Sequence, residues 1–401
     1  MPWAADFAAR VHVFRALVAT DKLAVRGGDG SAGRPRTASE LLITVRRKRV
    51  LHDGYAQLAH QPPAALRRVL RVRFVSELGL SEAGIDHNGV FKVATLHSKN
   101  FYAHPHAAAL HEDAEHLYEF VGRMLGKALY EGVTLDVPLA PFFVRRVLGR
   151  ASSIDELPEL DAQLHSSLTF VRTYTGDVSD LCLSFAIDVE RLGAQVSVEL
   201  RPGGAAIPVD NANRIQYVHL VSDFHLNRQI SAQARAVHRG LMGVLHPGWL
   251  RLFSAAEVCT LWAGDNVEVD VDDLRRHTDY KGGYHELSPT VRALWQVLRD
   301  FSNEERKAFL RFVTSSSGTP LLGFANLEPR FTVQCVSPSG SDNSALGGML
   351  ALVGLTPVER QRLPTAATCF NLLKLPDFRS RRVLREKLLL AIQSGSGFEL
   401  S

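Results

Sequence analysis

Residues 363–378 read LPTAATCFNLLKLPDF. Pro364-Thr365-Ala366-Ala367-Thr368 is a small, polar loop, and the run from Phe370 to Leu375 that follows is mostly apolar. Cys369 stands at their junction. A thiol where a loop meets a strand can be open on one side and held rigidly on the other, as a nucleophile requires. The same residue also fits a small buried hydrophobe. Local chemistry leaves both readings open. Downstream, Ser380 is placed to cap a final helix with Val383, Leu384, Leu388, Ala391 and Ile392 on one face. Gly395 ends that helix and the chain runs out in GFELS.

Working back from this stretch, residues 337–362 are rich in Ser and Gly and read as a flexible insertion. A strand is expected at 331–336. Thr319-Pro320 and Gly323 interrupt a helical stretch at 289–313. A long helical stretch covers 230–263, broken near Pro247, and Asn211 is placed to cap a helix running to about residue 229. Residues 164–201 have strand-like patterning in LTFVRTY, LCLSFAI and AQVSVEL. Helices are expected at 138–149 and at 113–131, the latter with Leu117, Phe120, Val121, Met124, Leu125 and Leu129 on a broad apolar face. Helices early and segregated strands later indicate an α+β fold.

Composition narrows the function classes. The 401 residues carry 46 basic and 42 acidic side chains, and apolar types make up 46%. That is ordinary for a soluble globular protein of two or three domains. Four scattered cysteines exclude a disulfide scaffold and suit a reducing compartment. No apolar run approaches the roughly 18 residues that span a bilayer. Cys182, Cys259 and Cys335 sit in apolar, regular surroundings and read as structural. No C-x-x-C pair exists, so neither a structural zinc nor a redox dithiol is expected.

Other chemistry fails on spacing. Gly122 to Ala128, GRMLGKA, is one residue short of a P-loop and lacks its hydroxyl; Gly126 there suits close helix packing. His111 and His116 are spaced i, i+5, so their rings diverge by about 140° on a helix and cannot share a metal. Gly28, Gly30 and Gly33 match G-x-G-x-x-G literally, but Arg34-Pro35-Arg36 follows where a helix should open. Residues 27–39 are a linker by composition. Residues 1–26 fit an amphipathic transit peptide or a packed helix, and Asp6 and Asp21 favour the helix. Residues 1–75 hold 14 basic and 5 acidic groups. Their densest cluster, Arg46-Arg47-Lys48-Arg49, lacks interleaved aromatics and fits a solvated strand edge better than a nucleic-acid site.

The segment around Cys369 resembles the end of a HECT-type E3 ubiquitin ligase. Upstream segments agree in order: ITVRRKRVLHDGYAQL, EAGIDHNGVFK, FVGRMLGKALYEG, DVPLAPFFV, IPVDNANRIQYVHLVSDF, TDYKGGYHE and FVTSSSGTPLLGF. The resemblance covers about residues 40–401. The insertion at 337–362 and the GFELS ending are similar to the subgroup whose full-length members carry an N-terminal IQ motif. The resemblance implies a bilobal α+β domain, with residues 1–39 an extension and linker. A mainly helical N-lobe would span 40–263, with a small subdomain near 156–225 that docks the ubiquitin-conjugating enzyme. A flexible hinge at Gly264-Asp265-Asn266 would lead to a smaller α/β C-lobe, 267–401.

The implied activity is ubiquitin transfer. Cys369 accepts ubiquitin from the conjugating enzyme as a thioester and passes it to a substrate lysine, in protein ubiquitination and ubiquitin-dependent protein catabolism. No cofactor or metal is implied. Thr368 would hydrogen-bond near the sulfur and Asn371 would orient the loop. Phe398 would help bring the lobes together, and Glu399 is a candidate base. Family contact positions for the conjugating enzyme fall on Leu164, Leu168, Val171, Tyr174, Tyr217 and Val221. The expected partners are that enzyme, ubiquitin and protein substrates, with no nucleic acid and no membrane span. The expected location is the cytoplasm, with the nucleus left open by the basic cluster. Two departures stand out. Ala367 occupies a position where many relatives have His. Gly89-Val90-Phe91-Lys92 also runs almost directly into VATLHSKNFYAHP, so a helix-sized block of the N-lobe is absent and an impaired binding module is the alternative. A cysteine hydrolase would instead need a histidine beside Cys369.

Overall fold

In the computed structural model, the described residues are 5–27, 40–46, 49–75, 81–86, 102–135, 137–265, 267–336, 363–378 and 380–393, with Cys369 represented by its backbone. They gather into two compact units, one of residues up to Trp262 and one from Ala263 onward that also takes in the described residues 83–86 and 134–135.

The first unit opens with helix α1 (Phe7–Gly27). Strands β1 (Glu40–Arg46) and β2 (Val69–Val75) pair in parallel, Glu40 opposite Val69 through Arg46 opposite Val75. Between them lie α2 (Val50–Leu58) and the single turn α3 (Pro63–Leu66). The parallel pairing explains the basic cluster in part. Arg46 ends β1 and is held by Asp53 of α2 through its Nε (2.8 Å) and its backbone N–H (3.0 Å). A strand β3 (Ser81–Asp86) and the short α4 (Ala107–Leu110) follow.

The packing centre of this unit is α5 (Ala114–Glu131) against α9 (Ser231–Val244). Glycine makes the approach possible. A Cβ on Gly122 would lie 2.1 Å from the Val237 carbonyl oxygen, and one on Gly240 would lie 1.9 Å from that of Glu119. Gly126 is close as well, 3.1 Å from the Leu241 oxygen, so the near-P-loop GRMLGKA is a helix-crossing stripe. Gly132, left-handed at φ 75, closes α5. α6 (Pro141–Val147) follows, then α7 (Ala162–Thr173).

Helix α7 corrects the strand expected at LTFVRTY. Asp161 caps it by accepting from the Leu164 N–H (2.9 Å), and Leu164, Leu168 and Val171 then recur at helical spacing. The hairpin β4 (Ala186–Arg191) and β5 (Ala194–Glu199) matches AQVSVEL, whereas LCLSFAI meets β4 only at Ala186 and Ile187, its earlier residues lying in a turn and loop. Helix α8 (Arg214–Asp223) begins after Asn213, not Asn211; the Asn211 side chain instead accepts from the Val178 N–H (3.2 Å). A five-residue π turn, Phe224–Arg228, joins α8 to α9, and α10 (Ala255–Ala263) ends the unit.

In the second unit, α11 (Val271–Arg276), α12 (Pro289–Asp300) and α13 (Asn303–Thr314) pack with α14 (Arg381–Gln393) around a four-stranded sheet. The expected helix at 289–313 is two helices, because Ser302 and Glu305 form a capping box that starts the second. The strands are β6 (Asp279–Lys281), β7 (Thr332–Val336), β8 (Thr365–Ala367) and β9 (Leu372–Pro376), in the order β6-β7-β9-β8. Of the expected hinge residues, Gly264 and Asp265 belong to this unit. Asp265 exchanges backbone hydrogen bonds with Thr319 (2.9 and 3.0 Å), and Asn266 lies outside the described residues. The insertion 337–362 lies outside them too.

Candidate active site

The site begins with β9. Its alternation buries Leu373 and Leu375 in the core and turns Leu372 and Lys374 outward. β9 pairs in parallel with β7 and antiparallel with the edge strand β8, Ala367 opposite Leu372. The turn joining β8 to β9 is one 3₁₀ turn, Thr368–Phe370, with Cys369 at its middle. Phe370 is half-exposed. The nucleophile expected from the sequence thus sits on a tight turn at the sheet edge, between a short strand and a buried one. Its side chain lies outside the described groups, as do Phe398 and Glu399.

Asn371 fixes this turn. Its backbone is left-handed (φ 47), a conformation Asn tolerates better than most residues. Its N–H reaches the Thr368 carbonyl (3.3 Å), and its own carbonyl accepts from the Thr332 N–H of β7 (3.0 Å). Its Nδ2 donates to the Pro329 carbonyl (2.6 Å), while Oδ1 is buried without a hydrogen-bond partner among the described residues. The turn is therefore closed by one backbone bond, tied to β7 by a second, and tied to the loop before β7 by one side-chain bond. Thr368 contributes its carbonyl to the closing bond.

The other cysteines separate by environment. The Cys259 thiol faces the Leu139 carbonyl (3.6 Å) in α10, and burial pushes its pKa up to about 12, which keeps it protonated. Cys335 is half-buried in β7. Cys182 departs from its structural reading: it is exposed, at the end of the turn Val178–Leu181.

The small subdomain presents a different face from the one expected. Leu168 and Val171 of α7 and Tyr217 and Val221 of α8 are buried, where they pack instead of facing solvent. Their i, i+3 and i, i+4 spacing is that of a core stripe. Leu164 and Tyr174 are half-buried. The exposed apolar groups on the same helices are Phe170 (54% exposed) and Ile215 (58%). Phe170 meets Tyr174 at a tilt, ring centroids 5.2 Å apart, and Arg214, next to Ile215, donates to the Tyr174 carbonyl (2.6 Å). Neither residue is among the contact positions expected from the sequence. The signal for Phe170 was its position off the apolar stripe of α7.

Residues 79–401 match the HECT-domain (ubiquitin-transferase) family. The chain belongs to the HECT-domain family. The HECT-domain chain is similar to ubiquitin-protein ligase E3B of Homo sapiens, 42% identical over 422 residues, 98% of this chain and 39% of that protein. It is also similar to E3 ubiquitin-protein ligase UPL6 of Arabidopsis thaliana, at 36% over 100% of this chain and 38% of that protein. E3 ubiquitin-protein ligase HUL5 of Saccharomyces cerevisiae is 33% identical, over 100% of this chain and 44% of that protein. The chain thus spans about two-fifths of the length of these relatives. The match to the human protein runs over 422 positions while the HECT-domain chain has 401 residues, so part of that stretch has no counterpart here.

Proposed function

We propose that this chain is the catalytic portion of a HECT-type E3 ubiquitin-protein ligase. The observation that carries the reading is a cysteine on a rigid turn between β8 and β9, inside a segment that matches a ubiquitin-transferase family. The Cys369 thiolate attacks the carbonyl carbon of the ubiquitin thioester on the conjugating enzyme. That enzyme's sulfur leaves as thiolate and ubiquitin is held on Cys369. A substrate lysine amine then attacks the new thioester, Cys369 leaves as thiolate, and the amine proton passes to a base, for which Glu399 is the proposed group. One thioester replaces another, so the first step is nearly isoenergetic. With Ala367 before the nucleophile, this loop offers no histidine base.

The lobe boundaries follow the proposed domain plan: 40–263, a hinge at 264–266, and 267–401. Asn371 orients the turn, Thr368 lies beside the sulfur, and Phe398 brings the lobes together for lysine transfer. The conjugating enzyme docks on Leu164, Phe170, Tyr174 and Ile215, the apolar groups of α7 and α8 that reach solvent. A free thiol nucleophile suits the cytoplasm. The insertion at 337–362 and the GFELS ending are the grounds for placing it in the subgroup with an N-terminal IQ motif. The shortened stretch after Lys92 favours a second reading, a binding module that does not load ubiquitin.

Incubation with a charged conjugating enzyme separates the readings. A thiol-reducible ubiquitin adduct that disappears in Cys369→Ala is expected. Absence of the adduct supports the binding module, and free ubiquitin released without an adduct supports a hydrolase.

A further inference from the structure

The chain crosses from the large part of the first unit into the small subdomain at Ser152 and returns through Asn227. The two are 75 positions apart, and the Asn227 carboxamide joins them. Its Oδ1 accepts from the Ser152 N–H (2.9 Å) and its Nδ2 donates to the Ser152 carbonyl (2.9 Å). The second Nδ2 proton goes to Asp223 Oδ1 (3.0 Å). Asn227 is 5% exposed and Ser152 6%. A side-chain amide that pairs with both backbone groups of one residue acts as a rung of a ladder, and a satisfied buried amide holds one geometry.

The backbone is shaped to deliver this amide. Asn227 lies in the π turn, closed by the Gln229 N–H on the Phe224 carbonyl (3.1 Å). Continued as an ordinary helix at about 100° per residue, α8 would carry position 227 to the side away from Tyr217, Val218, Val221 and Ser222. A π turn is an irregularity that recurs where a side chain must be re-aimed for function. Around the clamp, Arg228 donates to the Leu200 carbonyl (3.0 Å), and Glu159 accepts from the Phe142 N–H of α6 (3.0 Å). Asn227 is the buried member that touches both crossings.

We propose that Asn227 is a positioning residue for thioester exchange. It sets the angle at which the small subdomain, and the conjugating enzyme on it, offer the donor thioester. This rests on the ligase reading and on 156–225 as the docking subdomain. The docking face on α7 and α8 does not include Asn227, so orientation and affinity are separable.

The test uses the full chain with Asn227→Ala and with the milder Asp223→Ala, which removes only one of the amide's partners. Binding of an uncharged conjugating enzyme is expected to stay within about twofold. Single-turnover loading at saturating charged enzyme is expected to fall about tenfold in Asn227→Ala and less in Asp223→Ala, the pattern of a lost transition-state placement. Discharge of preloaded chain to free lysine is expected to be unchanged. Hydrogen exchange at the Ser152 amide, which needs no activity, is expected to accelerate in Asn227→Ala. Unchanged loading with a freed Ser152 amide overturns the positioning role. A Ser152 amide that stays protected overturns the clamp. Binding that weakens as much as loading slows assigns Asn227 to docking and overturns the proposal. Failure of the unaltered chain to load overturns the ligase reading itself, and this inference with it.

Discussion

Asn371 shows how one residue can hold the turn around Cys369 by two separable properties. Its left-handed backbone lets the chain turn from β8 into β9, and its Nδ2 covers the Pro329 carbonyl. Substitution can divide them. Asn371→Gly keeps the backbone conformation and loses the side-chain bond, at a cost of about 1–3 kcal/mol for the uncovered carbonyl. Asn371→Ala loses the bond and keeps a Cβ in the left-handed region without the polar side chain that lets Asn tolerate it, which costs about 1 kcal/mol more than Gly. Denaturant unfolding of the two variants is expected to place Ala below Gly by that amount; equal stabilities would mean the backbone of the turn is not strained. None of this could be seen in the sequence. CFN marks a polar residue after the cysteine, but a positive φ and a partner 42 positions upstream are products of the sheet. The residues around Cys369 left a nucleophile and a small buried hydrophobe equally open, and the choice came from the family resemblance of the whole segment. The exposed apolar groups of α7 and α8 were legible only in part. A periodic Leu-Leu-Val stripe says that a helix has a buried side, and the residues that meet solvent are those the stripe omits.

At the level of elements, long amphipathic helices were the easiest to read and short capped ones the hardest. α5 was plain from its broad apolar face, because 18 residues average out local accidents. α7 was read as strand because Thr, Phe and Val crowd its second half, and the deciding cap, Asp161, lies before that window. α1 fitted either a targeting segment or a packed helix, and in the structure it packs by its apolar face. Val11, Phe14 and Val18 are buried, and Phe14 meets Trp249 and Phe253 edge-on at 6.3 and 5.9 Å. Arg10 adds a fork onto Glu257 (2.6 and 2.9 Å) and reaches the Leu252 carbonyl (2.7 Å). This pair holds the Glu257 carboxyl at about 2, below its ordinary value. A depressed carboxyl contributes stability above its unfolded pKa and loses it as pH falls through the folded one. Arg10→Ala is therefore expected to cost about 1–2 kcal/mol at neutral pH, with partial exposure of the pair already discounted. The difference between the two proteins should shrink between pH 4.5 and 2. A difference that is constant across that range would show that α1 is held by its apolar face alone.

At the scale of the whole molecule, the sequence stops being a series of elements and becomes two cores. Most of the second unit comes from residues 263–401, and these have a core of their own. Val291, Leu294 and Leu298 of α12, Phe309 and Val313 of α13, and Leu384 and Leu388 of α14 surround β7 and β9, and all are essentially sealed from solvent. Its hydrogen-bonded entry, Asp265 against Thr319, lies inside it as well. A unit with its own core and its own closed entry can fold without the rest of the chain. Residues 263–401 expressed alone are therefore expected to fold cooperatively, and the sequence supplies the probe. Trp3, Trp249 and Trp262 all precede Ala263, which leaves Trp295 as the one tryptophan in this segment. It is 1% exposed, and its indole N–H is donated to the Tyr280 hydroxyl (3.1 Å). Its emission should be blue-shifted in the native segment and move to the red in a single sigmoidal step with denaturant. Tyr280→Phe leaves that buried indole N–H without its acceptor and should lower the midpoint, by about 1–2 kcal/mol in free energy. Red emission from the segment at zero denaturant would mean that its core forms only with the first unit present, and that the two units are one folding domain.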